Sequence, residues 1–243
     1  MTTGGSNAAR DTILARVREA LRMPAPLPHM KSHAAEATAA AGPGSLTILP
    51  VEFAKPWLPD GGDTAEARLA ILTENLGKLK AAVHRAADLG AAAGIVAALA
   101  RDRGWRHVAW HGHANVEPVA AALPCQAERV DAGAFDKRTL EACDAGITAC
   151  EAVVAQTGSI LVSSDTCGGR ALSILPHVHI VIATLDQIVA TLGEALDAAR
   201  DRHAGRLPSM LSFITGPSRT GDIERILVLG AHGPKELVVV LVG

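Results

Sequence analysis

Three glycine-marked segments hold the residues best suited to chemistry, and all three lie between Gln156 and Lys235. The first is Gln156-Thr157-Gly158-Ser159, set between two apolar runs. Its glycine permits a tight turn, and the Thr157 and Ser159 hydroxyls with the neighbouring amides can face an anion; the same four residues also suit a plain hairpin turn. The second is Gly216-Pro217-Ser218-Arg219-Thr220-Gly221-Asp222-Ile223-Glu224. It reads as a loop that opens a helical turn, where backbone donors joined by Ser218, Arg219 and Thr220 would receive a carboxylate or phosphate. The alternative is a capped helix start in which Thr220 and Asp222 satisfy orphan amides, although capping does not require Arg219. The third is Gly230-Ala231-His232-Gly233-Pro234-Lys235-Glu236, where His232 is either a proton-transfer group working near neutral pH or an exposed turn histidine.

Other candidates are fewer and weaker. His111-Gly112-His113 and His177-Val178-His179 have the spacing that places two imidazoles on one face of a strand. Neither pair has a third or fourth ligand at a recognisable spacing, so no metal site is expected. Cys125, Cys143, Cys150 and Cys167 form no C-x-x-C pair, which argues against an iron–sulfur cluster held by this chain alone. Cys167 reads as structural, with a reactive thiol as the alternative, and Arg170 is either a solvated charge or an anion contact.

The elements that must carry these segments follow from apolar periodicity. Ile13, Leu14, Val17 and Leu21 fall on one face of a helix over residues 8–21, with Asn7 as its N-cap and Pro24 as its end. A Pro-, Ala- and Gly-rich connector continues to residue 62. From there Asp63 and Glu66 make a capping box for a helix carrying Leu69, Leu72, Leu76, Leu79 and Val83. A second helix over 91–103 leads through Gly104 into a strand-like run, Trp105 to Trp110. Further strands are expected at 153–155, 160–163, 178–183, 210–214, 226–229 and 237–242. Alternation of helix and strand, with several continuous apolar strands, argues for a layered α/β domain. The expected division is therefore residues 1–62, a helix and connector, and residues 63–243, an α/β domain.

Composition excludes several classes. With 23 Lys+Arg against 25 Asp+Glu the net charge of -2 gives no pull toward nucleic acid, and aromatic residues at 2% provide no base-stacking platform. No apolar run approaches the ~20 residues of a membrane span, and the amino terminus has no secretory pattern, so a cytoplasmic protein is expected.

Taken in order, Gly146-Ile147-Thr148, Ala155-Gln156-Thr157-Gly158-Ser159, Leu175-Pro176-His177-Val178-His179-Ile180, Gly216 to Glu224 and Gly230 to Leu237 resemble the LUD domain family. The likeness covers about residues 63–243 and is to the short, single-domain lactate utilization protein C (LutC/YkgG) type. It implies a layered α/β sheet with flanking helices, similar to the NagB/RpiA/CoA transferase-like fold, preceded by an N-terminal helical arm. It also implies a role in bacterial oxidation of L-lactate to pyruvate beside iron–sulfur partner proteins that carry the clusters, with no cofactor bound by this chain alone. In that reading Gln156, Thr157, Gly158, Ser159, Gly216, Ser218, Arg219, Thr220 and Gly233 surround a small carboxylate or phosphate, and His232 transfers protons. Two departures stand out. Gln156 replaces the family's usual Glu before Thr-Gly, and Val238 stands where the last strand commonly has His. A non-catalytic assembly or ligand-sensing subunit is the alternative, as is a stand-alone enzyme on a small phosphorylated or CoA-linked substrate.

Overall fold

The computed structural model describes residues 5–20, 22, 59–131, 136–220, 228–229 and 233–243. Contacts within the chain group residues 1–54 and 55–243 as two units. In the first, helix α1 spans Gly5–Ala20. Asn7 therefore lies inside the helix rather than at its cap; helix ends read from sequence commonly differ by a residue or two. The connector expected up to residue 62 falls outside the described residues as far as residue 58.

In the second unit helix α2, Ala65–Lys78, is capped by Thr64, not Asp63. Thr64 has extended backbone, and its Oγ1 accepts the Ala67 amide at 3.2 Å. Leu72 and Leu76 are its buried residues. The helix stops at Leu79 because Lys80 turns into the left-handed region, φ 65°. Val83, expected as the next apolar position of this helix, belongs instead to strand β1, Ala82–Ala86. Helix α3, Leu89–Asp102, is capped by the Asp88 carboxylate accepting the Ala91 amide at 2.7 Å, and it buries small residues along one face.

Six parallel strands form the central sheet in the order β1-β12-β7-β4-β2-β3. They are β1, β2 (His107–Trp110), β3 (Gln126–Arg129), β4 (Ala145–Thr148), β7 (Val178–Thr184) and β12 (Glu236–Val242). Short helices α4 (Glu117–Ala121) and α5 (Lys137–Glu141) follow β2 and β3. The central strands β7 and β12 are buried nearly end to end, which accounts for their unbroken β-branched and Leu runs. One face of the sheet, with Ile180, Ile182, Val238 and Val240, packs on Val96 of α3 and Val119 of α4. The opposite face, with Val181, Leu237 and Val239, packs on Leu72 and Leu76 and on a second sheet through Val153, Ile160 and Val162. Each such side chain contributes roughly 1.5–3 kcal/mol when fully buried.

That second sheet has the order β8-β5-β6-β9, with β5 at Ala152–Val154, β6 at Ser159–Ser163, β8 at Ile188–Val189 and β9 at Leu211–Ile214. Helix α6, Leu192–Arg202, covers its outer face, Ala195 and Ala199 packing on Ala152, Val154 and Leu161. The layered α/β class expected from sequence is thus the one adopted. The short strands β10, Arg219–Thr220, and β11, Val228–Leu229, pair antiparallel as a ribbon. Residues 219–220 are therefore extended, their backbone paired with β11, and the helical turn expected after them lies outside the described residues.

Candidate anion site at the edge of the second sheet

Antiparallel pairing of Val154 with Ser159 makes residues 155–158 the turn of the β5–β6 hairpin. Gly158 has φ 64°, and a Cβ there would lie 3.0 Å from Leu79 Cδ1, so both conformation and close approach to α2 demand glycine. Thr157 and Ser159 share a hydrogen bond between their hydroxyls at 2.7 Å, and Ser159 continues to the Thr215 hydroxyl at 2.7 Å. This relay joins the hairpin to the end of β9. Gln156 points elsewhere: its Nε2 donates to the Pro59 carbonyl at 2.6 Å.

After β9, Gly216 turns at φ 85° beneath Leu79. Arg219 then donates from Nη2 to the Leu79 carbonyl, fixing its guanidinium with one of five N–H donors. The Ser218 amide donates to the Pro234 carbonyl at 2.9 Å, and Gly233 permits the approach, since a Cβ there would lie 3.3 Å from Ser218 Cβ. A cavity of about 550 Å³ opens along these residues, and Gly216, Ser218, Arg219 and Gly233 all line it. Arg170, Ser173 and Thr215 line it too. Arg170 donates one N–H to the Ser209 carbonyl at 3.1 Å. Among the described residues that line the cavity, Arg170 and Arg219 are the charged ones and none is acidic. A larger groove, about 1060 Å³, runs along α2, but there Arg68 and Arg85 alternate with Glu66, Glu74 and Asp186, so its wall favours neither sign of charge.

Of the residues singled out from sequence, Arg170, Gly216, Ser218, Arg219 and Gly233 line the cavity, and Thr157 and Ser159 reach it through Thr215. Gly158 lies behind them, Gln156 faces Pro59, and Thr220 is the second residue of β10, paired with Val228. His232 lies outside the described residues. Sequence reading missed Thr215 and Ser173. The first had a weak signal, a hydroxyl immediately before a turn glycine; the second had none.

The histidine pairs do not act as pairs. Strand β2 ends at Trp110, so His111 and His113 lie in the following loop: His111 Nε2 sits 2.8 Å from the Asp165 carbonyl, and His113 Nδ1 accepts the Asn115 amide at 3.2 Å. His179 is fully buried in β7, with Nε2 2.8 Å from the Thr148 hydroxyl. Among the described residues no group of three or more His, Cys, Asp or Glu could hold a metal ion. Cys167 is buried, with its Sγ 2.8 Å from the Ser163 carbonyl, and burial pushes its thiol up to about 11.

A second polar cluster lay hidden from sequence. Glu151, after β4, has a side chain with 0% exposure, accepts from Ser163 Oγ at 2.6 Å and is held by Arg202 and His203 at the end of α6. Its partners stand up to 52 residues away, at no spacing a motif would reveal.

Fold and cavity together define a layered α/β protein with a cation-lined site where the second sheet meets the amino end of β12. Residues 69–242 match the LUD domain model, and the chain belongs to that family. It is similar to the Lactate utilization protein C of Bacillus subtilis, 36% identical over 114 residues, or 46% of this chain and 48% of the relative. The protein of that name from Deinococcus radiodurans is 40% identical over 106 residues, 43% and 49% of the two chains. The chain thus aligns over about half the length of the curated relatives it matches. A crystal structure of a DUF162 family protein from Deinococcus radiodurans superposes with a TM-score of 0.57 at 27% identity, covering 74% of this chain and 99% of that one. No described helix is long and apolar enough to cross a membrane.

Proposed function

We propose that the chain is a subunit of a lactate-utilisation system, acting in the oxidation of L-lactate to pyruvate with iron–sulfur partner proteins, in the cytoplasm. The observation that carries a small-anion role is that Arg170 and Arg219 line one cavity whose described lining residues include no carboxylate. The name shared by the curated relatives supports lactate as the context. In this reading Arg219 and Arg170 use their remaining N–H donors on a carboxylate, and Ser218 and Thr215 orient it. The Thr157–Ser159–Thr215 relay holds the hydroxyls in place, and His232 transfers the proton. The clusters that carry electrons reside in the partners.

The test is L-lactate-dependent dye reduction by the purified chain and by the chain combined with its iron–sulfur partners. Activity is expected only in the mixture. Arg219→Gln should lower kcat/KM by about tenfold or more, the cost of one charge-assisted contact. Unchanged activity in an Arg170→Gln, Arg219→Gln double variant overturns the assignment of this cavity.

One observation favours the non-catalytic alternative: Gln156 stands at the family's usual Glu position and spends its amide on Pro59, so no acid or base is presented there. An assembly or ligand-sensing subunit would tolerate His232→Ala with lactate oxidation intact.

A further inference from the structure

A three-carbon hydroxy acid has six heavy atoms and fills at most about 180 Å³, even at the ~30 Å³ that liquid water allots to each. Against a cavity of about 550 Å³ that leaves most of the space unfilled. The remainder has a definite shape. Every residue from Met210 to Gly216 lines it, although alternate side chains of β9 leave in opposite directions. Met210 and Ile214 pack toward the core under α2, while Leu211 and Phe213 pack toward α6. A wall that includes both sets of residues is the strand's backbone edge.

Among the described residues that edge is unpaired: β9 ends the order β8-β5-β6-β9, pairs there with β6 alone, and no backbone hydrogen bond leaves Leu211–Ile214 on the other side. Proteins usually guard such edges with charge, proline or brevity. The other edges here follow that rule: β1 carries His84 and Arg85, β3 carries Glu128 and Arg129, and β8 has two residues. β9, Leu-Ser-Phe-Ile, has neither charge nor proline. Ile174, 48% exposed, adds an apolar contact on the same wall, and Arg170 and Arg219 make the strip cationic.

We propose that the open edge of β9 receives an extended, acidic segment of a partner protein, which adds a fifth strand to the second sheet. Backbone bonds from Leu211–Ile214 supply the affinity, and the two arginines select acidic side chains on the incoming strand. This goes beyond the small-anion reading and does not depend on it.

The test uses the full chain and three fluorescein-labelled peptides followed by anisotropy: alternating Glu and Val, alternating Lys and Val, and the Glu-Val peptide methylated at alternate backbone nitrogens. The acidic peptide should bind saturably, the basic one about tenfold or more weakly, and the methylated one should lose binding because it cannot complete the ladder. Amide hydrogen exchange at Leu211 and Phe213, whose N–H groups alternate away from β6, should slow on binding, and Leu211→Pro should weaken binding without changing the peptide. Should that variant fail to fold, the methylated peptide asks the same question on the unaltered protein. Equal binding of the methylated peptide, protection outside β9, or no binding of the acidic peptide overturns the proposal. Inorganic phosphate and L-lactate are titrated in parallel: peptide binding without either anion leaves the strand site standing and removes the small-anion site, and the reverse result does the opposite.

Discussion

His203 Nε2 lies 2.9 Å from Glu151 Oε1, joining the last turn of α6 to the loop after β4 through a carboxylate with no exposed side-chain surface. Burial pushes the Glu151 carboxyl up, but hydrogen bonds from Ser163, His203 and Arg202, together with the Arg202 charge, outweigh it and hold the group below its ordinary value. Removing one partner should therefore cost more than an exposed ion pair is worth. Arg202→Met is expected to lower stability in urea by about 1–3 kcal/mol, less than for a fully buried pair because the Arg202 side chain is 45% exposed. Arg200→Met, which breaks only the exposed pair with Asp197, should change it by about 0.5 kcal/mol or less. Because the Glu151 value is depressed in the folded state, its contribution is present above the unfolded carboxylate value and disappears as pH falls through the folded one.

Burial alone lowers His179 from 6.5 to about 4. The folded chain thus resists protonation that the unfolded chain accepts, so stability is full above pH 6.5 and falls as pH drops from there toward 4. The integrated loss is on the order of 3 kcal/mol. His179→Gln keeps a partner for the Thr148 hydroxyl but cannot titrate, and urea midpoints at pH 7 and pH 5 should differ less in the variant than in the parent. An unchanged difference would show that other groups dominate this window.

Thiol reactivity should divide sharply. Burial is the main cause that pushes Cys143 and Cys167 up to about 11 and Cys150 to about 12, whereas Cys125 is only partly buried. At pH 8 a disulfide reagent should titrate Cys125 in the native protein and leave the others unreacted until denaturant is added. Rapid native reaction at Cys167 would contradict its structural role.

Restoring the family's acid would not restore a free carboxylate. Gln156→Glu replaces an N–H donor facing the Pro59 carbonyl with a second acceptor in a nearly buried position. The expected cost is about 1–3 kcal/mol, with faster amide exchange where residues 59–62 pack, detectable by thermal melting and mass spectrometry. A neutral or stabilising outcome would mean that the pocket had been built for the acid.

Periodicity alone was enough to show the layered α/β class, the buried strands β7 and β12, and α2 and α3, because a continuous apolar run or a 3.6-residue stripe constrains where an element can lie. Boundaries were less legible: Asp63 and Thr64 are both good caps, and only the geometry of the Thr64 hydroxyl chose between them. Strands β3 and β4 escaped, one for its polar composition and the other for its brevity. The turn glycines Gly158 and Gly216 and the neighbouring hydroxyls were legible as local chemistry. Their convergence on Leu79, the placing of Arg170 and Arg219 on one cavity, the Glu151 cluster and the open edge of β9 were decided by tertiary structure, because each depends on how segments far apart in the chain pack through two sheets, a property no local spacing encodes.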